Sequence, residues 1–200
     1  MPWRIHFFWL IAIGALALGA CGGAKPASKT TTVTAPAPAV ASTAEVEVAS
    51  HTAAPATGDR IAGTGYEFRS AKGWYDIRKT ISPDSDVTLG TTHGSVLNIE
   101  YSERPQALKR GAGLAKMFTD VVIDVGHLTR LKPSTPIEVD GATGLSTQVR
   151  VKTDQGTAPA RVVVLVHGED IYAIVASSSP KEPSPTAGDF AAMLSSWRWT

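Results

Sequence analysis

Arg161-Val162-Val163-Val164-Leu165-Val166 is the stretch that most limits what this chain can become. Successive side chains of a strand point to opposite faces, so a half-buried strand alternates apolar and polar residues. An unbroken apolar run must instead be covered on both sides. The fold therefore needs a sheet with material packed above and below it, and the rest of the sequence has to supply both layers.

The neighbouring segments read as antiparallel strands. Gly65-Tyr66-Glu67-Phe68-Arg69 alternates apolar and charged residues, Lys72-Gly73 turns the chain, and Trp74-Tyr75-Asp76-Ile77 follows. Asp86-Val87-Thr88-Leu89 and Val96 to Tyr101 are separated by a Gly90–Gly94 hairpin loop, with Leu97, Ile99 and Tyr101 on one face. A helix is predicted from about Gln106 to Val125, with Leu114, Met117, Phe118, Val121, Val122 and Val125 as its packing stripe. Gly111 and Gly113 weaken its start and Gly126 stops it. A second strand series runs through His127–Leu131, Pro136–Gly141 and Leu145–Lys152. It then forms a meander with the apolar run and Ile171–Ala176, reversing at His167-Gly168-Glu169-Asp170. The closing helix carries Phe190, Met193, Leu194 and Trp197 at i, i+3, i+4 and i+7, with Thr186 and Asp189 as a capping box. Trp199 either turns away from that stripe or begins a short last strand. The expected class is α+β, a mainly antiparallel sheet flanked by helices.

The N-terminal part is of another kind. Phe7 to Gly19 is an apolar run of 13 residues behind Arg4. As a helix it is about 20 Å long, short for a hydrocarbon core of roughly 30 Å, which is the layout of a secretory signal peptide. Leu18-Gly19-Ala20-Cys21 closes it and resembles the lipobox of bacterial lipoproteins. That resemblance implies cleavage before Cys21, acylation of its thiol and amine, and attachment to a membrane through lipid; Gly22 in the next position permits outer-membrane sorting. Cys21 is the sole cysteine, so no internal disulfide can form. The alternatives are an ordinary signal peptide cut after Ala24 and a free thiol used in an intermolecular disulfide. Residues 21–60 are rich in Ala, Thr, Pro and Ser and are expected to be a disordered tether, spanning roughly 35 Å as a coil. The division is thus 1–20 signal peptide, 21–60 lipidated cysteine and tether, 61–200 globular domain.

Several features of that domain are similar to one family. Gly65-Tyr66-Glu67-Phe68 leading to Gly73-Trp74, a middle helix, the strands around Gly168-Glu169-Asp170-Ile171-Tyr172, and a close on Ser196-Trp197-Arg198-Trp199 resemble the PsbP/Mog/LpqN type of α/β/α sandwich. Ala71 stands where a proline usually precedes the Gly-Trp pair. The resemblance implies an exported or peripheral accessory or binding role, without a catalytic centre common to the family.

Residue chemistry agrees with that expectation. Residues 61–200 hold 15 Lys and Arg against 15 Asp and Glu, a net charge of zero, so the basic excess of a nucleic-acid binder is missing. The sequence contains no G-x-S-x-G, H-E-x-x-H or P-loop motif, and Ser178-Ser179-Pro180-Lys181 carries a proline that breaks an S-x-x-K helix. His93, His127 and His167 have no ligand spacing, and Asp84/Asp86, Asp120/Asp124 and Glu169/Asp170 read as solvated charges. The reading is that the protein has no catalytic residues, metal or cofactor. It is a membrane-anchored surface lipoprotein that binds an envelope protein, a lipid or other small amphipathic ligand, or a wall component. Trp199, Arg198 and Trp74 are the candidate partner-binding residues. Two alternatives stand beside it. One is an envelope enzyme whose site only the fold assembles; the other is an immunity or inhibitor lipoprotein against a toxin.

Overall fold

The computed structural model describes residues 47–48, 53–104, 112–153, 156–179 and 185–200. In chain order the elements are β1 (Glu47–Val48), β2 (Arg60–Gly63), β3 (Tyr66–Arg69), β4 (Tyr75–Asp76), α1 (Arg78–Ile81), β5 (Val87–Gly90) and β6 (Val96–Glu103). Then come α2 (Ala112–Val125), β7 (Thr129–Arg130), β8 (Thr135–Val139), β9 (Ala142–Thr153), β10 (Gly156–His167), β11 (Asp170–Ser177), α3 (Pro185–Ser195) and β12 (Arg198–Trp199). Among the described residues the main sheet runs β1-β8-β9-β10-β11-β6-β5-β4, with β7 also paired to β9. Every pairing in it is antiparallel except β1 with β8. A second, three-stranded sheet runs β12-β3-β2.

The apolar run is the middle of β10, and it is covered twice as its composition requires. Val162 and Val164 are buried on the face that α2 crosses, while Val163 and Leu165 join the larger core with Ile99, Tyr172 and Ile174. That second face is roofed by α3 and the small sheet, so the molecule is α+β with helices on both sides of a mainly antiparallel sheet. Between β8 and β9, Asp140 (φ 48°) and Gly141 (φ 82°) make the two-residue turn whose twist matches an antiparallel hairpin.

The larger core is organised on aromatic rings. Trp197 stacks on Tyr66 at a centroid distance of 4.2 Å and on Phe68 at 5.4 Å, and the Tyr66 ring meets Tyr172 edge-on at 5.5 Å. The expected stripe of the last helix is all there: Phe190, Met193, Leu194 and Trp197 are buried. Helix α3 already includes Pro185, so Thr186 lies within it and not at its N-cap, and the Asp189 carboxylate accepts the Trp74 indole N–H at 2.9 Å. Helix α3 ends at Ser195 and Trp199 enters a short strand.

Helix α2 departs from the sequence reading. Met117, Val121 and Val125 are 37%, 41% and 46% exposed, and the face turned to the sheet is Leu114, Ala115, Thr119, Val122 and Ile123. The small Ala115 and Thr119 let the helix lie close to β9 and β10, and Thr119 Oγ1 returns its proton to the Ala115 carbonyl at 2.7 Å. Counting large apolar residues rotated the predicted stripe. The helix ends at Val125 as expected, but its left-handed closing residue comes one position later than Gly126. Leu128 N–H donates to the Ile123 carbonyl and His127 N–H to that of Asp124, a Schellman closure whose left-handed position is His127 (φ 49°), not Gly126. The first turns of the predicted helix, residues 106–111, lie outside the described residues.

The packed chain also begins before residue 61. Ala56 is buried and its N–H donates to the Ala192 carbonyl, Gly58 and Asp59 pair with Ser70, and Glu47–Val48 lies beside Ile137–Glu138. Backbone pairing needs no large apolar side chain, so composition placed these residues in the tether.

Three outcomes follow from this packing. Trp197→Ala removes the ring that both Tyr66 and Phe68 stack on and should lower unfolding free energy by about 3–5 kcal/mol in urea titrations. His127→Gly relieves a left-handed non-glycine and should raise stability by about 0.5–1 kcal/mol by the same measurement. Burial pushes the Tyr172 hydroxyl up to about 12, Asp170 adding to it, and Tyr66 is raised by burial and then by Asp86. These folded pKa values lie above the ordinary 10.0, so the unfolded chain loses its protons first. Stability should be intact below pH 10 and fall as pH rises through about 12, with Tyr172→Phe flattening part of the slope. Unfolding titrations across that range, read beside tyrosinate absorbance, check it; an unchanged free energy would contradict the assignment.

Candidate functional site

The small sheet has an inner and an outer face, fixed by alternation along β3. Tyr66 and Phe68 point into the core, so Glu67 and Arg69 point out. In register, Arg60 of β2 faces Arg69, Ala62 faces Glu67, and Arg198 of β12 faces Glu67 from the other side. With the Asp140 carboxylate 3.7 Å from Arg198, three arginines and Glu67 share this outer face. They line a groove of about 400 Å³ whose other walls include Pro55, Ala56, Thr57 and Ser196.

Each charged side chain has a definite engagement. Arg60 donates Nε–H to Glu67 Oε2 at 2.6 Å and its terminal nitrogen bonds the same oxygen. Arg69 donates to the Gly58 carbonyl at 3.1 Å. Arg198 donates to the Trp197 carbonyl and lies 3.7 Å from the Asp140 carboxylate. Ser196 occupies the position opposite Arg69: its Oγ accepts the Arg69 backbone N–H at 2.9 Å and donates to the Met193 carbonyl at 2.7 Å. Arg60 directly opposite Arg69 is a like-charge pair, an arrangement that destabilises a sheet. The groove thus concentrates planar, multidentate donors, which suits the binding of an oxyanion.

Of the candidate residues read from the sequence, Arg198 lines this groove. Trp199 is half-buried beside it: its backbone N–H reaches Asp140 at 3.1 Å, its indole N–H reaches the Val139 carbonyl at 3.3 Å, and its ring stacks on His167 at 4.2 Å. Trp74 is only 4% exposed and bonded to Asp189, so it packs inside instead of presenting a surface. Cys21 lies outside the described residues. Arg60, Glu67, Arg69 and Ser196 also line the groove, and no sequence motif marks them. The alternation of residues 66–69 already aimed Glu67 and Arg69 at solvent, but Arg60 fell in the tether by composition.

The other polar clusters are occupied structurally. Asp86 accepts the Thr64 N–H at 3.0 Å and its hydroxyl at 2.8 Å, and Glu100 accepts from Ser85 and Asn98, each at 2.7 Å. Lys116 and Arg130 hold the Asp120 carboxyl below its usual range. Among the described residues no group of three His, Cys, Asp or Glu side chains is placed to hold a metal ion, and no helix is long and apolar enough to cross a membrane. The Tyr66 hydroxyl and Trp197 Nε1, both buried, have no hydrogen-bond partner among the described residues.

No family model matches the chain, and no curated protein does. Solved structures do. The solution structure of cyanobacterial PsbP (CyanoP) from Synechocystis sp. PCC 6803 superposes with a TM-score of 0.51 at 19% identity, covering 71% of this chain and 92% of that one. A crystal structure from Bacteroides thetaiotaomicron VPI-5482 gives a TM-score of 0.51 at 7% identity over 72% of this chain, which spans 48% of that protein. The described domain has a PsbP-like fold.

The like-charge pair sets an expectation for stability. Arg69→Thr removes it and places a good strand former on an outer face, so unfolding free energy in urea should be unchanged or rise by about 0.5 kcal/mol. A loss of more than about 1 kcal/mol would mean that Arg69 is there to hold the sheet.

Proposed function

We propose that this chain is an exported lipoprotein, anchored through acylated Cys21 to the outer face of a cytoplasmic membrane or to an outer membrane. Its PsbP-like domain then serves as a non-catalytic binding or accessory module for an envelope component. The observation that carries the reading is the single cysteine placed at the end of Leu18-Gly19-Ala20-Cys21, behind a short apolar run. A lipid-modified cysteine with two or three acyl chains holds a protein far more firmly than one chain does. The fold supports the accessory half of the reading, since the PsbP-like architecture fits a non-catalytic accessory module in general. So does the site, because an open, guanidinium-lined groove binds without needing an aligned nucleophile and base. Nucleic acid is not the expected partner of a domain whose charges sum to zero.

Cys21→Ser tests the anchor. Fractionated cells should show the wild type in membranes with a palmitate label and the variant in the soluble fraction without one. Retention of label and membrane association by the variant would end the lipoprotein reading. Crosslinking in intact cells, followed by mass spectrometry, should then recover an envelope partner of the wild type.

A further inference from the structure

The geometry points to the groove on the small sheet as a binding site for a phosphate ester on a soluble or wall-borne molecule. This inference rests on the reading of the domain as a binding module and gives that module its ligand chemistry.

Three observations carry it. First, Arg60, Arg69 and Arg198 come from three adjacent strands and line one concavity of about 400 Å³, within the size range of small-ligand sites. Second, Arg69 has no ion pair among the described residues, whereas Arg60 and Arg198 each stand beside a carboxylate. Glu67 accepts both donors of Arg60, and Asp140 stands 3.7 Å from Arg198, whereas the described bond of the Arg69 guanidinium is to the Gly58 carbonyl. Third, Arg69 is held opposite Arg60 although like charges across a strand pair oppose folding. A bound anion removes that opposition.

The ligand's chemistry follows from the arrangement of donors. Arg198 is opposite Glu67 on the neighbouring strand, so Arg198 and Arg69 are diagonal neighbours, roughly 7–8 Å apart along the sheet. A carboxylate holds its two oxygens in one plane, which a single planar fork can engage. Donors arriving from two separate strands suit an acceptor with oxygens in more than one plane, which a tetrahedral phosphate has. A flat anionic membrane is the poorer fit. Attraction to it grows with the number of basic residues on a face, and here Glu67 and Asp140 lie among the arginines.

The test uses the full chain carrying Cys21→Ser, with glycerol 3-phosphate, succinate and lipid vesicles as probes. Calorimetry at low salt should show saturable binding of glycerol 3-phosphate, at least about tenfold tighter than succinate. Arg69→Gln and Arg198→Gln should each weaken it about tenfold or more without lowering the thermal midpoint. Vesicles of phosphatidylglycerol should bind no more protein than neutral vesicles do. The proposal is overturned by absence of glycerol 3-phosphate binding, by equal affinity for succinate, by indifference to both substitutions, or by binding confined to anionic vesicles. Any of these leaves the membrane partition of wild type and Cys21→Ser unchanged, so the anchor reading and this one fail separately.

Discussion

The stacking of Trp197 on Tyr66 and Phe68 is the contact from which the rest of the domain takes its arrangement. It joins the end of the last helix to β3, near the start of the domain, so the small sheet closes across nearly the whole chain. The same rings fill the space above β10, β11 and β6, which gives the main sheet its second cover. A contact between residues so distant in sequence carries a large loop-closure entropy. Burial of several large aromatic surfaces at once offsets it.

That closure also determines where charge appears. With Tyr66 and Phe68 committed to the core, strand alternation forces Glu67 and Arg69 outward. With Trp197 committed, the chain after α3 must turn Arg198 into the adjoining strand position. The arginine groove is thus the outer side of the same three strands whose inner side builds the aromatic core. Core and site share a backbone, and the like-charge pair on the outer face is tolerated because the inner face holds the strands in register.

Much of this was legible in the sequence. The doubly apolar run of β10, the paired strands around it, and the 190–197 stripe all rest on periodicity, a local property that tertiary context reinforced here. Two features lie beyond what residue types record. The α2 stripe was rotated because Ala115 and Thr119 give a closer fit to the sheet than Met117 and Val121, and fit is invisible to a count of apolar residues. Composition puts residues 53–60 in the tether because backbone hydrogen bonds, which bind them, leave no mark on it. The site divides in the same way: Arg198 stands out beside its tryptophans in the sequence, whereas only the pairing of β2 with β3 brings Arg60 to the groove.

Sequence alone determined the class of fold and the need for two covering layers, since both follow from which residues alternate and which do not. Only the tertiary structure decided which face of each helix is buried and which three arginines meet, because both depend on register between strands far apart in the chain. Local chemistry sets what each segment can do, and the closing of the small sheet sets which segments do it together.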